Sequence, residues 1–430
     1  MTDIDMPAGT TGPGQADQET PTSAARGLGA EASRVLEVLA AWNEPAPVPV
    51  VAALTDLTCS SANRHLRHLV RCGVAERSSG GYLAAAEAAD LVTPAVIAGG
   101  WVRAARWCLV ALFEAASVLG VVALPEDEPP LVPGCPPPHL PDRLAAADWY
   151  TASYSALSRV LREASSSGLV ESAWHIALLM LNIDAALGPG PAWQGIAELG
   201  FAAAQRAAEP VAEAMIGEYR GKLMLACGEI EDARTLQEQV WAWRAAAGDE
   251  RGVARSFNAL GLVELRAGDL AAAEPLFRKA LTCAEALEFE EFATYARLNL
   301  GAVLARTGAP GEAKDLLNEA IDALRAGGRA PYEADGLRTL AGLHRCRGHL
   351  ELARDLIDRA VEVASRAGLP VYLAAVLTDL AAVQKAEGDL LAGLASLREA
   401  RLIYLELGDE LRAEQVATEI LAASEAYGSN

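Results

Sequence analysis

The sequence predicts a mainly α-helical protein: an N-terminal winged helix-turn-helix followed by a right-handed α-solenoid of helical hairpins. Three observations carry that expectation. Ala, Leu, Glu and Arg dominate while aromatic residues make up only 5% of the chain, a balance that favours helix over sheet. Five glycines, Gly228, Gly268, Gly308, Gly348 and Gly388, stand forty residues apart inside similar phrases, the mark of a stacked repeat. Ahead of them, residues 30–93 read as three short helices followed by strand, tight turn and strand.

The elements follow in order. Residues 1–29 lack a basic start and an apolar run, so they read as a disordered tail and not as a signal peptide. Ser33 opens the amphipathic segment SRVLEVLAAW, EPAPVP makes a proline turn, and VVAALTDL gives a second helix. Ser60 or Ser61 caps a third helix that runs to Cys72 and stops at Gly73, and VAER, SSGG and YLAA make the hairpin.

At 100° per residue, Ala62, Leu66, Leu69 and Val70 share one side of the third helix, while Arg64, Arg67, His68 and Arg71 share the other. A DNA-reading helix needs this arrangement: an apolar face held by the fold, and arginines free to fork onto guanine edges or pair with phosphates. The candidate DNA-binding residues are Ser61, Arg64, Arg67, His68 and Arg71, with Arg77 at the wing for a backbone contact. A second reading stands beside it. The chain has only four lysines, so arginine supplies nearly all its positive charge and any exposed helix collects it; winged helices also serve as protein contacts.

Residues 94–143 combine a helix and a connector. The apolar stretch Trp101–Leu124 carries Arg103, Arg106 and Glu114, which a bilayer tolerates poorly, so a buried helix is expected and no membrane partner. Leu124–Arg143 holds eight prolines and reads as a semi-rigid connector.

From residue 144 to 430 the repeat takes over. Each periodic glycine suits a left-handed helix C-terminus followed by a polar cap for the next helix, so each repeat is a helical hairpin. Seven residues earlier stands Gly221, Gly261, Gly301, Ala341 or Ala381, and five residues later Ala233, Ala273, Ala313, Ala353 or Gly393; these small residues let paired helices approach closely. Phe277, Leu317, Ile357 and Leu397 fill the space between repeats, while Arg297 replaces the usual bulky apolar residue of its repeat. Gly188 extends the same clock to a degraded terminal repeat, as a solenoid cap requires.

The phrase NALGLVELRAGDLAAAEPLFRKAL, Asn258 to Leu281, resembles the tetratricopeptide repeat, with Leu-Gly, Gly-Asp, Ala, Phe and Ala at that family's offsets. The resemblance implies a concave groove lined by the first helices. Its candidate residues are Asn258, Arg266, Asn299, Arg306, Arg338, Arg345, Asp379 and Lys385. Asparagines there can hold a peptide backbone, and Arg or Lys can take a carboxylate. The expected partner is therefore a peptide or protein segment, with DNA as a candidate partner and a homodimer as a candidate assembly.

The order of winged helix, Trp-containing helix, proline-rich connector, a helix LAAADWYTASYSALSRVLREASSSGL and tetratricopeptide repeats is similar to the C-terminal half of the large actinobacterial regulators related to the Streptomyces antibiotic regulatory proteins, and of other NB-ARC-type signalling NTPases. In those regulators the winged helix packs on an NTPase module and DNA binding belongs to a separate domain. This sequence has no GxxxxGK[ST]; GEYRGKL, Gly217 to Leu223, has the wrong spacing. It also carries Thr151, Ser153, Tyr154 and Ala156 where the family has Glu, Arg and Asn after the Trp, so the resemblance implies a lost or changed partner surface there.

A net charge of -21 spread along 430 residues argues against general polyanion binding while leaving room for a local basic face. Seven scattered cysteines without a CxxC pair fit reduced, packed thiols of a cytoplasmic chain. His65 with His68, and His344 with Cys346 and His349, are too incomplete for a metal set, and nothing forms a catalytic constellation. The expectation is a cytoplasmic regulator without enzymatic activity, metal or cofactor, in transcriptional control such as that of secondary metabolism, or else an adaptor that assembles a protein complex without touching DNA.

Overall fold

The computed structural model describes residues 28–78, 80–86, 100–121, 129–407 and 409–428. Most of the expected tail, the expected end of the winged helix at 87–93 and the connector residues 122–128 lie outside the described residues. The chain divides into two compact units, Met1–Trp107 with Leu131–Pro136, and Cys108–Pro130 with Pro137–Asn430.

The first unit contains α1 (Ala30–Trp42), α2 (Val48–Thr55), α3 (Cys59–Arg71), β1 (Ala75–Ser78) and β2 (Gly81–Ala84). In α2 every residue from Val50 to Thr55 is buried, so this helix is apolar all round and sits inside. Helix α3 is the opposite case: Ala62, Leu66 and Leu69 alone form its buried stripe. Its cap is Thr58, whose side chain accepts from the Ser61 amide at 3.2 Å, and not Ser60 or Ser61. The reason is local: Asp56 takes a left-handed turn (φ 60) and Thr58 is extended (φ -74, ψ 154), so the helix starts two residues earlier than the serines suggest.

Strands β1 and β2 pair antiparallel, with Arg77 opposite Tyr82 and Ser78 opposite Gly81. Ala46 adds a third pairing, exchanging backbone bonds of 2.8 and 3.0 Å with Tyr82. Gly81 (φ +139) is required by that crossing, because a Cβ there would lie 2.2 Å from the Ala46 carbonyl oxygen. The core is Leu36, Leu39, Trp42, Leu66 and Leu69, closed by Trp101 stacked on Trp42 at 6.0 Å.

Trp101 belongs to α4 (Gly100–Val118), which contributes residues to both units. Part of the proline-rich stretch is built into the first unit. Val132 and Cys135 close a tight turn, the Gly134 carbonyl accepts from the Cys59 amide at 2.9 Å, and the Pro136 carbonyl accepts from the Trp107 indole at 3.1 Å. Prolines cannot donate, but their carbonyls still accept, which is how an irregular segment docks without a ladder.

The second unit continues with α5 (Arg143–Ser166), α6 (Val170–Leu187) and α7 (Trp193–Ala207). Then come five hairpins: α8 (Pro210–Ala226) with α9 (Ile230–Ala247), α10 (Glu250–Ala267) with α11 (Leu270–Ala286), α12 (Glu290–Thr307) with α13 (Pro310–Ala326), α14 (Ala330–Cys346) with α15 (Leu350–Arg366), and α16 (Pro370–Ala386) with α17 (Leu390–Glu406). Helix α18 (Glu410–Gly428) follows. A helix therefore begins every twenty residues from Pro210 to Glu410.

The five periodic glycines all have positive φ and end the first helix of each hairpin. A second set of left-handed turns, Ala208, Gly248, Glu288, Gly328 and Gly368, falls twenty residues out of phase between the hairpins. Sequence reading does not show this set, because two of its five members are not glycine. Inside the hairpins the small residues act as expected: the Phe277 ring lies where a Cβ on Gly261 would reach within 2.7 Å, and Ala233, Ala273, Ala313 and Ala353 are completely buried. Phe277 thus fills its own hairpin. Arg297 is held by Glu290 at 2.7 Å and Glu285 at 3.0 Å, which replaces apolar packing by ion pairing. First helices of successive hairpins also touch one another, placing them in the inner layer of a tetratricopeptide-like solenoid.

Among the described residues one helix, α6, is long and apolar enough to cross a membrane; its Ile176–Asp184 stretch is buried within the array. The departures in α5 are internal packing: Ser153, Tyr154 and Ala156 are buried, and Tyr154 donates to Asp184 at 3.1 Å. Thr151 is exposed.

Candidate nucleic-acid interface and the inner face of the repeats

Helix α3 and the hairpin border an open hollow of about 630 Å³. Its walls are Ser60, Asn63, Arg64, Arg67, Val70 and Arg71 from α3, with Arg77 and Tyr82 from the two strands. Helical spacing supplies the first group, since residues three and four apart share a face. Strand register supplies the second, since Arg77 and Tyr82 are directly opposed. Four guanidinium groups and no carboxylate line this space, so its field is positive in a chain that is acidic overall.

Arg64, Arg67, Arg71 and Arg77 are therefore brought together, and all four are exposed. Ser61 is used in the helix cap through its amide. His68 is exposed but lies outside the walls of the hollow, its ring 3.8 Å from the Cys72 sulfur one turn on. Val70, placed on the apolar side by the helical wheel, is half-buried and lines the hollow. Sequence reasoning missed Asn63 and Tyr82, whose side chains meet at 3.4 Å. Asn63 stands four residues before Arg67, so the wheel held that signal; Tyr82 required the hairpin register.

His65 turns away from this face and meets Glu31 of α1 at 2.9 Å. Among the described residues no cluster of three His, Cys, Asp or Glu side chains is placed to hold a metal. His344 and His349 do approach, with ring nitrogens 3.4 Å apart.

On the inner layer of the repeats the groove candidates pair with one another. Asn299 donates to Asn258 at 2.8 Å, and Arg338 bridges Asp379 at 2.8 Å and Asp335 at 2.6 Å. Arg266 reaches the Leu225 carbonyl at 3.5 Å, and burial lowers its pKa. Arg306 and Lys385 are exposed and Arg345 is half-buried.

Sequence reasoning also missed a charge cluster built inside the segment dismissed as a phosphate loop. Glu218 of α8 is 3% exposed and holds Lys222 at 2.8 Å, Arg244 of α9 at 2.9 Å and Arg255 of α10 at 3.1 Å. Burial alone would push its carboxyl up; Arg255, Lys222 and Arg244 more than reverse that and hold it well below the usual range. Asp249 adds a second carboxylate 3.8 Å from Arg244, so three cations face two carboxylates and one positive charge is left over. Lys222 stands 4.5 Å over the Tyr219 ring, a cation–π contact.

The charge of Lys222 also reaches Tyr332 of α14. Tyr332 keeps 40% of its surface exposed, yet desolvation raises its phenol pKa and the charge of Lys222, three hairpins earlier, lowers it. Tyr295 meets Tyr332 edge to face at 4.6 Å. The chain already reaches this layer with the turn after α4: Leu119 offers its carbonyl to Arg143, and Gly120 its own to Arg329 at 3.3 Å.

Comparison with known proteins adds the following. No curated protein matches this chain. Among solved structures, the STAND signal transduction ATPase with a tetratricopeptide repeat sensor from Pyrococcus horikoshii is 12% identical over 95% of this chain and 68% of its own, with a TM-score of 0.42. The Rap conjugation gene regulator of plasmid pLS20, solved with a Phr peptide, is 16% identical over 62% and 72%, with a TM-score of 0.49. Aspartyl phosphate phosphatase F from Bacillus subtilis is 11% identical over 93% and 95%, with a TM-score of 0.45. Residues 31–79 match the IclR helix-turn-helix domain. That span runs from α1 through β1 and contains every arginine of the hollow, so this chain carries an IclR-type helix-turn-helix domain beside its helical repeats.

Proposed function

We propose that this protein is a transcriptional regulator of actinobacterial type, acting in the cytoplasm, whose α3 and hairpin contact DNA while the inner face of the repeats binds a peptide or protein segment. The observation that carries the DNA half is the arginine-lined hollow between α3 and the hairpin, with no carboxylate in its wall. Arg64, Arg67 and Arg71 project from the exposed side of a helix whose other side is locked by Leu66 and Leu69, the geometry in which guanidinium groups meet base edges or phosphates. Asn63 adds an amide that can pair with adenine, and Arg77 a backbone contact from the wing.

For the repeats, the excess of positive charge at Lys222 and Arg255 beside exposed Tyr332 favours a segment that brings a carboxylate and an apolar side chain. Control of secondary metabolism and assembly as a homodimer belong to this proposal as its finer parts. The adaptor reading remains the competitor, because a basic helix also docks acidic protein surfaces.

Fluorescence anisotropy of the full chain on a labelled mixed-sequence duplex across a salt series tests the DNA half. Binding that weakens with salt, with the log–log slope reduced by about one per lost phosphate contact in Arg64→Ala/Arg67→Ala, supports it. No binding at low salt by the folded wild type eliminates it and leaves the adaptor.

A further inference from the structure

Two cysteines that lie 76 positions apart in sequence meet in the first unit. Cys59 is the first residue of α3, and Cys135 ends the tight turn of the proline-rich segment. Their backbones are directly bonded through the Cys59 amide and the Gly134 carbonyl at 2.9 Å, and a Cβ on Gly134 would lie 2.8 Å from the Thr58 side chain. The Cys135 sulfur is 3.9 Å from the Leu57 carbonyl, so it points along the chain leading into Cys59. Both thiols are free, Cys59 half-buried and Cys135 at 1% exposure. The bond from Cys59 to Gly134 sets Cys135 one residue from the backbone of Cys59, the closeness that a disulfide requires.

We propose that Cys59 and Cys135 are an oxidation site, a thiol pair that hydrogen peroxide or a comparable small peroxide converts to a disulfide, fastening the Leu131–Pro136 turn to the first turn of α3.

The surroundings favour the chemistry. Cys59 and the positive charge of Arg103, itself paired with Asp56, bring the Cys135 thiol down to about 7 against its burial. Cys135 and burial push Cys59 up in return, so Cys135 is the more readily ionised of the two thiols. In the reaction a thiolate attacks one peroxide oxygen, the O–O bond breaks, and the departing hydroxide takes up a proton to leave as water, giving a sulfenic acid. The second sulfur then attacks that sulfur, loses its proton, and displaces the hydroxyl as a second water. Two thiols and one peroxide thus give one disulfide and two waters.

The test uses the reduced full-length protein treated with one equivalent of hydrogen peroxide, then alkylated, digested without reductant and analysed by mass spectrometry. The expected product is one cross-linked peptide pair containing Cys59 and Cys135, two hydrogens lighter than its parts, with Cys72, Cys108, Cys227, Cys283 and Cys346 alkylated once exposed by denaturation. In Cys59→Ser and Cys135→Ser, each checked by circular dichroism, the cross-link is absent. In Cys59→Ala the iodoacetamide reaction of Cys135 near neutral pH, measured on the native protein, slows about tenfold because the neighbour that lowers its pKa is gone. Sulfinic acid on either cysteine without a cross-link, or both recovered alkylated after excess peroxide, overturns the proposal. Neither readout depends on DNA binding, so failure here and failure of the regulatory reading are separate results.

Discussion

Burial of Asp184 under the phenols of Tyr150 and Tyr154 shows what one side chain costs the array. Tyr150 donates at 2.7 Å and Tyr154 at 3.1 Å, yet desolvation dominates and pushes the carboxyl up to about 7. The folded chain therefore holds a proton between about pH 4 and pH 7 that the unfolded chain has released. Stability from this residue is greatest below that window and falls as pH rises through it, by at most about 4 kcal/mol. Asp184→Asn keeps an acceptor for Tyr150 and removes the charge. Its melting temperature relative to wild type is expected to rise between about pH 4.5 and about pH 7.5; a difference that does not change with pH contradicts the assignment. At this scale sequence is a partial guide. The wheel at 100° per residue places Arg64, Arg67 and Arg71 together, but it places His68 with them and says nothing of Asp184, whose partners lie about one helix away.

Turns between helices set the next scale. Glu288 adopts φ 50 where the equivalent turns at 248, 328 and 368 use glycine. A left-handed L-residue costs roughly 1–2 kcal/mol, of which a glycine recovers a part against its own greater freedom when unfolded. Glu288→Gly is expected to stabilise the protein by about 0.5–1 kcal/mol in urea unfolding; a loss of stability shows that the Glu288 side chain contributes more than its backbone costs. The forty-residue glycines made the hairpins legible because that turn recurs with the same residue. The intervening turns accept Ala208 and Glu288, so the twenty-residue spacing appears only when the backbone is seen. The cap of α3 has a similar lesson: two serines look like caps, but Asp56 and Thr58 decide where the chain turns.

Across the whole array, each helix packs mainly on its sequence neighbours, with the inner helices also touching their counterparts one hairpin away. Stability in such a structure is distributed by neighbourhood. Phe277 is completely buried against Gly261, so Phe277→Ala is expected to cost about 3–5 kcal/mol. Hydrogen exchange should accelerate most in α10 to α13 and least in α16 to α18. A uniform acceleration would mean that the array opens as one cooperative body.

The sequence by itself determined the helical class, the hairpin period, the small residues at the closest helix approaches and the arginine face of α3, because each of these depends on residues a few positions or one fixed period apart. Only the tertiary structure decided which distant groups meet. It joined Cys59 to the turn at Cys135, brought Arg77 and Tyr82 over α3, surrounded Glu218 with three cations from three helices, and paired Asn258 with Asn299 and Arg338 with Asp379. Local propensity and periodicity are properties of the chain, whereas charge pairing, desolvation and thiol proximity arise from the folding of separate segments into one space.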